Sequence, residues 1–259
     1  MPKVLIADNV SDVVCEIFDK NNIEYERKVG LSEDELSAEI KGYDGLLIRS
    51  AVTVTKKIVE SSDSLKVIGR PGVGVDNVDL KASSEKNIVV MNTPLGNVQA
   101  TAELTFGIIH SLMRKIHIAN SSMHNKKWEK KKLIGNELLG KNIAIIGFGN
   151  IGKKVADFAK AYGMNIIVVS ETASSGDVNY LNAKVMKFDD MLSEADIITF
   201  HNKLSEKSKY IINSESLKQM KKNSIVINCA RGGIVNEVEM KEALEKEIIS
   251  GYGCDVYEE

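Results

Sequence analysis

The stretch Ile143-Ala144-Ile145-Ile146-Gly147-Phe148-Gly149-Asn150-Ile151-Gly152 decides the fold. Its first four residues are apolar and mostly β-branched, which reads as a strand buried on both faces. The strand runs straight into GxGxxG. A helix follows, with Val155, Phe158, Ala159 and Tyr162 at helical spacing and Gly163 at its end. Residues 165–169 supply the next strand. Gly147 turns the chain tightly, Gly149 lets a pyrophosphate approach the backbone, and Gly152 lets helix and strand pack closely. The helix N-terminus then faces the negative charge. A bare GxGxxG is a weak signal, because the same glycines can form a turn without a ligand. Between a strand and a helix, with a second strand after it, it is the fingerprint of a dinucleotide site.

Working outward toward the C-terminus, strand candidates fall at residues 142–146, 165–169, 184–187, 196–199, 224–228 and 251–256. Helices lie between most of them. Those with clear starts are 214–221 and one opening at Asn236, with Glu239 in the capping-box position. Toward the N-terminus, strands are read at 4–7, 23–25, 45–48, 66–68 and 88–90. Val13, Val14, Ile17 and Phe18 have helical spacing. Ser32 and Glu35 form a capping box opening a helix to about Ile40, and further helices fall at 55–61 and from near Asp79. This alternation predicts an α/β chain with two doubly wound parallel sheets, each covered on both faces. The strand pattern pauses after Thr93-Pro94, so the domains are set at residues 1–97 and 98–259. Residues 99–139 join them as an arm, helical to about Met123 and then basic through Lys126-Lys127-Trp128-Glu129-Lys130-Lys131-Lys132.

Composition excludes several classes. A chain of 259 residues allows two domains and makes three cramped. Hydrophobic residues are 43% and charged residues 27%, as in an ordinary globular chain. Lys plus Arg is 34 against 36 Asp plus Glu, so the basic balance of a nucleic-acid binder is absent. Apolar runs are strand-length, which leaves no membrane span. The first residues read as a strand ending in Asp8 and not as a signal peptide. Cys15, Cys229 and Cys254 are an odd number without CxxC spacing, which points to a reducing, cytoplasmic compartment and to no metal framework.

Two loops are expected to carry chemistry. The tip of the second Rossmann strand should present an acid to the ribose hydroxyls. Here it reads Val168-Val169-Ser170-Glu171-Thr172, so Ser170 holds the usual place and Glu171 follows one position late. Glu171 is either the ribose acid or a solvated loop acid. No Arg or Lys stands at this tip in sequence, so NAD is favoured over NADP. Farther on, residues 224–228 form a buried strand that ends in Asn228-Cys229-Ala230-Arg231-Gly232-Gly233. An Arg beyond the carboxyl end of such a strand either clamps a ligand carboxylate or forms a structural ion pair.

Several motifs together resemble the D-2-hydroxyacid dehydrogenases, most closely the phosphoglycerate dehydrogenase branch. They are Leu46-Leu47-Ile48-Arg49-Ser50, the run from Ile68-Gly69-Arg70-Pro71-Gly72-Val73-Gly74 to Asp79, and Met91-Asn92-Thr93-Pro94. Ala102-Glu103-Leu104-Thr105, the glycine loop and the Arg231 loop complete the set, which covers the whole chain. The resemblance implies a flavodoxin-like substrate domain and an NAD-binding Rossmann domain. It implies NAD-dependent oxidation of D-3-phosphoglycerate, in serine synthesis, with Arg231 holding the carboxylate and polarising the carbonyl. Gly72, Val73 and Gly74 would offer N–H groups to that carboxylate, with Arg49 and Asn97 nearby. The cofactor contacts implied are Val73, Thr105, Gly147, Gly149, Asn150, Ile151, Gly152, Ser170, Glu171, Asn202, Cys229, Ala230, Arg231 and Asp255. Residues 99–139 resemble a dimerisation arm, so a homodimer is expected. The basic run there either reaches the partner's substrate phosphate or is a solvated face. A glyoxylate or hydroxypyruvate reductase and an NAD-sensing co-repressor are the rival members.

Three departures from the family pattern stand out. Ser170 replaces the ribose acid. Phe200-His201-Asn202-Lys203-Leu204 lacks the proline of His-Thr-Pro-Leu, so Lys203 is expected to lose a rigid turn. The family's acid–base His and the Glu that orients it are not found. By spacing from Asp255-Val256-Tyr257 the Glu would fall one residue beyond Glu259; His110, His117 and His124 lie in the arm, and His201 matches a cofactor-side position. The expectation is an incomplete Rossmann domain, lacking its last strand and helix, that is inactive alone.

Overall fold

The structure is a computed structural model and describes residues 1–258; Glu259 lies outside the described residues. Two compact units result, Met1–Asn97 and a second that begins at Val98. The first contains β1 (Lys3–Ile6), α1 (Val13–Lys20), β2 (Glu24–Arg27), α2 (Glu33–Glu39) and β3 (Gly45–Leu47). It continues with α3 (Lys56–Ser61), β4 (Val67–Arg70), α4 (Leu80–Glu85) and β5 (Val89–Asn92). All five strands are parallel, in the order β2-β1-β3-β4-β5, which is the flavodoxin-like order. The capping box at Ser32 is present in full: its hydroxyl accepts Glu35 N–H, and the Glu35 carboxylate accepts Ser32 N–H at 2.8 Å. Leu5, Leu46 and Ile68 point into one core with α2, α3 and α4. On the other face Phe18 of α1 lines an apolar groove with Val4, Leu47 and Val67, and α1 itself buries no residue.

The second unit begins with α5 (Val98–Met113) and α6 (Ile116–His124). The expected single helix is broken at Lys115, whose φ of +54° is left-handed and ends α5. Helix α6 buries only Ser122, and beyond it Trp128 and Ile134 are exposed. The basic run then forms one 3₁₀ turn, Lys130–Lys132, with Lys132 paired to Glu129 at 2.9 Å.

The remainder is β6 (Asn142–Ile146), α7 (Asn150–Ala161), β7 (Asn165–Val169), α8 (Ser175–Val178), β8 (Lys184–Val185) and α9 (Phe188–Leu192). Then come β9 (Ile197–Phe200), α10 (Ser214–Gln219), β10 (Ile225–Asn228), α11 (Glu237–Glu245) and β11 (Gly251–Cys254). The parallel sheet has the order β11-β10-β9-β6-β7-β8, the Rossmann pattern 3-2-1-4-5-6 read from its other edge. Alternation explains why β6 is apolar throughout. Ile143 and Ile145 enter one core with α5 and α7, while Ala144 and Ile146 enter another with α9, α10 and α11. Each fully buried Ile contributes roughly 1.5–3 kcal/mol. Tyr162, expected on the apolar face of α7, lies at its rim, 45% exposed and stacked on Phe106 at 5.3 Å.

Two local expectations change. The box at Asn236 is one-sided: Asn236 accepts Glu239 N–H, but the Glu239 carboxylate accepts from Asn236 Nδ2 at 3.0 Å and from Ser214 N–H instead. The last strand stops at Cys254, two residues early. Strand β11 is an edge, paired only to β10 among the described residues. No helix among those residues is long and apolar enough to cross a membrane.

Candidate functional site

Ligands of open α/β sheets bind beyond the carboxyl ends of the strands, where the strand order reverses. In the second unit that point lies between β6 and β9. Gly147 has φ +93°, and a Cβ on it would stand 2.7 Å from Asn202 N, so the two loops touch through this glycine. Its N–H donates to Val169 O at 2.9 Å. A Cβ on Gly152 would stand 2.1 Å from Gly147 O, which is the close helix–strand packing the fingerprint needs. Gly149 differs: a Cβ there meets nothing within 4 Å. It is the N-cap of the twelve-residue α7, with no side-chain cap, and Asn150 and Ile151 begin the helix. The first N–H groups of α7 therefore face open space.

Two buried polar atoms flank this opening without a hydrogen-bond partner, Asn202 Oδ1 and His201 Nδ1. An unpaired buried acceptor costs about 1–3 kcal/mol, a penalty a ligand donor removes. The other ring nitrogen of His201 lies 3.0 Å from Thr199 Oγ1. Burial pushes the imidazole pKa down to about 4, so the ring is neutral at pH 7. Open glycine, uncapped helix and orphaned amide oxygen fit a dinucleotide pyrophosphate with its adjoining ribose.

At the tip of β7, Ser170 Oγ accepts the N–H groups of Thr172 and Ala173, both at 3.3 Å. Glu171 is exposed and pairs with Lys207 Nζ at 2.6 Å. This corrects the expectation that no cation stands here, because Lys207 arrives from the loop after β9. That loop is closed by a turn in which Ser205 O accepts the N–H groups of Ser208 and Lys209. The buried Ser208 hydroxyl accepts Ser205 N–H at 2.9 Å and donates to Lys203 O at 3.0 Å. Ser208 thus fastens the turn that was expected to loosen without its proline.

The Arg231 loop is built by Asn228, 1% exposed at the end of β10. Its Oδ1 accepts Ala230 N–H at 3.1 Å and its Nδ2 donates to Arg231 O at 2.9 Å. Arg231 Nη1 donates to Ala230 O at 2.7 Å. The half-buried guanidinium lines a pocket of about 480 Å³ with Ser205, Lys209 and Tyr257. Gly232 is required there, since a Cβ would stand 2.0 Å from Tyr257 O. Cys229 and Ala230 are buried, and the exposed Asp255 donates its N–H to Asn228 O at 3.4 Å. Burial, then the Asp255 charge, pushes the Cys229 thiol up to about 12. Thr105, expected as a cofactor contact, is 0% exposed; its hydroxyl donates to Thr101 O at 2.8 Å and its side chain meets the Cys229 thiol.

In the first unit the order reverses between β1 and β3. Asp8, 5% exposed, accepts the N–H groups of Arg49 and Ala51 on Oδ2 at 2.9 and 3.0 Å, and that of Asn9 on Oδ1 at 2.7 Å. The Arg49 side chain is exposed. Asn77 Nδ2 donates to Arg49 O and Val52 O, both at 2.6 Å, and its Oδ1 accepts Arg70 Nε at 3.2 Å. The carbonyls of Gly72 and Val73 are taken by Thr93 N–H and Asn92 Nδ2. The N–H groups of Gly72, Val73 and Gly74 donate to nothing among the described residues, which leaves them for a ligand. Asn97 is exposed at the end of the unit and joins neither cluster. Asp8 was visible in the sequence only as an acid ending a strand, and Asn77 only as one residue of the run to Asp79, with no role of its own.

The sequence profile of the D-isomer specific 2-hydroxyacid dehydrogenase NAD binding domain matches residues 106–259. The chain belongs to this family. D-3-phosphoglycerate dehydrogenase of Synechocystis sp. is 39% identical over 257 residues, 99% of this chain and 46% of the relative. That of Bacillus subtilis is 39% identical over 260 residues, 100% of this chain and 49% of the relative. The chain thus spans about half the length of the curated relatives it matches. Among solved structures, the TT0316 protein of Thermus thermophilus is similar with a TM-score of 0.90 and 29% identity, covering 98% of this chain and 82% of that one. The family is NAD-binding, in agreement with the glycine crevice.

Proposed function

We propose that the chain serves NAD-dependent oxidation of D-3-phosphoglycerate to 3-phosphohydroxypyruvate in serine synthesis, and that it works as a homodimer through its arm. The observation that carries this is Arg231, whose loop is held by the buried amide of Asn228, which accepts Ala230 N–H and donates to Arg231 O. A guanidinium carried by such a loop, with Nη1 donating to Ala230 O, binds a carboxylate bidentately and draws electron density from the adjoining carbonyl. Similarity to D-3-phosphoglycerate dehydrogenases over nearly the whole chain supports the phosphorylated substrate. The exposed Trp128 and Ile134 of the arm support a second copy as partner.

When bound, NAD takes the hydride from the substrate carbon. Gly147, Gly149 and Gly152 shape its crevice, Asn150 and Ile151 meet the pyrophosphate, and Asn202 offers Oδ1 as an acceptor. Cys229, Ala230 and Asp255 line the nicotinamide end, with Cys229 kept as a neutral thiol. Val73 and its neighbours Gly72 and Gly74 supply anion-facing N–H groups in the first unit, beside Arg49. The substrate proton needs an acid–base group. His110, His117 and His124 belong to the arm helices, and His201 is held neutral with Nδ1 buried. These residues therefore bind both ligands without completing the proton step.

Titration of nicotinamide fluorescence tests this. NADH binds, and 3-phosphoglycerate perturbs the complex in the wild type but not in Arg231→Gln. Absence of NADH binding, or a stronger response to glyoxylate or hydroxypyruvate, overturns the assignment. Turnover of 3-phosphoglycerate at an ordinary dehydrogenase rate overturns the statement about the proton step.

A further inference from the structure

The tip of β7 carries a pair of charges that the nucleotide site does not need for NAD alone. Val169 is bonded to the glycine turn through Gly147 N–H at 2.9 Å, so Ser170 and Glu171 stand at the mouth of the crevice. In Rossmann sites an acid here accepts the ribose hydroxyls and repels a 2′-phosphate. This chain weakens that barrier twice. The usual position is the neutral Ser170, whose oxygen already accepts two backbone N–H groups. Glu171, one residue later, is countered by Lys207 at 2.6 Å.

We propose that Lys207 is the residue that receives the adenosine 2′-phosphate, so that the nucleotide site accepts NADPH alongside NADH. This rests on the dinucleotide crevice assigned above. Lys207 makes no other hydrogen bond or ion pair among the described residues. Both side chains are mostly exposed, 81% and 77%, so their mutual hold is weak and is exchanged readily for a doubly charged phosphate. A lysine suits this role as a compact, flexible point charge. Its loop is fixed nearby, because the buried Ser208 next to it ties the turn to Lys203 O and Ser205 N. Glu171 remains available to the two hydroxyls of NAD when no phosphate is present.

Fluorescence titration of the full chain with NADH and with NADPH tests this, in the wild type, Lys207→Gln and Glu171→Gln. Wild-type NADPH affinity is expected within about tenfold of that for NADH. Lys207→Gln is expected to weaken NADPH at least about fivefold and leave NADH within about twofold, while Glu171→Gln strengthens NADPH. Both substitutions are on exposed side chains, and unchanged melting curves verify the fold. A wider gap in the wild type, or equal losses of both nucleotides in Lys207→Gln, overturns the role of Lys207 and leaves the crevice standing. Failure of NADH itself to bind overturns the crevice and this role together.

Discussion

The two sheets reverse strand order in the same way and fill the reversal point oppositely. Between β6 and β9 the backbone is stripped to glycine, the helix end is uncapped, and two buried polar atoms lack partners. Between β1 and β3 the chain supplies its own anion: the Asp8 carboxylate takes the N–H groups of Arg49 and Ala51. One reversal point leaves its backbone groups to a ligand, and at the other a carboxylate of the chain ties down the loop that carries Arg49. Topology marks where a ligand binds in an α/β sheet, and side chains decide whether that place is free.

The sharpest way to break the comparison is at the glycines. Gly152→Val drives a side chain into Gly147 O and is expected to abolish NADH binding and lower the melting temperature. Gly149→Val meets only open space in the protein, so the melting temperature holds while NADH affinity falls about 100-fold or more. Loss of stability in the second variant would show that the opening is not a ligand site.

Acid separates the crevices next. His201 has a folded pKa of about 4 against 6.5 for a free imidazole. The unfolded chain therefore takes up a proton below pH 6.5 that the folded chain refuses. Stability is full above pH 6.5 and falls as the pH drops toward 4, by about 3 kcal/mol in all. Carboxylates held low by ion pairs, such as Glu26 and Glu39, lose stability toward the acid end of this range in both proteins, so urea titrations should show a steeper fall in the wild type than in His201→Gln, most clearly between pH 6.5 and 5. At the reversal point of the first sheet, Asp8→Asn retains the shape but weakens three charge-assisted bonds. Unfolding should cost about 2 kcal/mol less, with NADH affinity unchanged. A loss of NADH affinity there would mean that the two crevices are coupled. The smallest effect concerns Cys229, whose buried thiol resists ionisation. After brief iodoacetamide treatment at pH 8, mass mapping should find it unlabelled, and ready labelling would place it at an open surface.

The crevice that stays open was the legible one. Strands 142–146 and 165–169 were readable to the residue, because a doubly buried strand is an unbroken apolar run and its glycines are contiguous. The capping box at Ser32 was readable for the same local reason. The reversal point of the first sheet was not. Asp8 meets Arg49 and Ala51 across more than forty residues, and Asn77 joins Arg49 and Val52 from a loop with no period. Lys207 and Glu171 are 36 positions apart, so inspecting the strand tip alone misses the cation that the fold delivers there. Ser208 holds by a hydroxyl the turn that lacks a proline at Lys203, five positions away, and no pattern of residue types displays that.

The left-handed residue Lys115 also divides the molecule in time. Helix α5 buries Ala102, Thr105, Phe106, Ile109 and Met113, whereas α6 buries Ser122 alone. Amide protons of α5 should exchange with deuterium only when the whole second unit opens, while those of α6 escape through local fraying. A single backbone torsion thus sets a step in protection along one arm, slow on the side anchored to the sheet and fast on the exposed side.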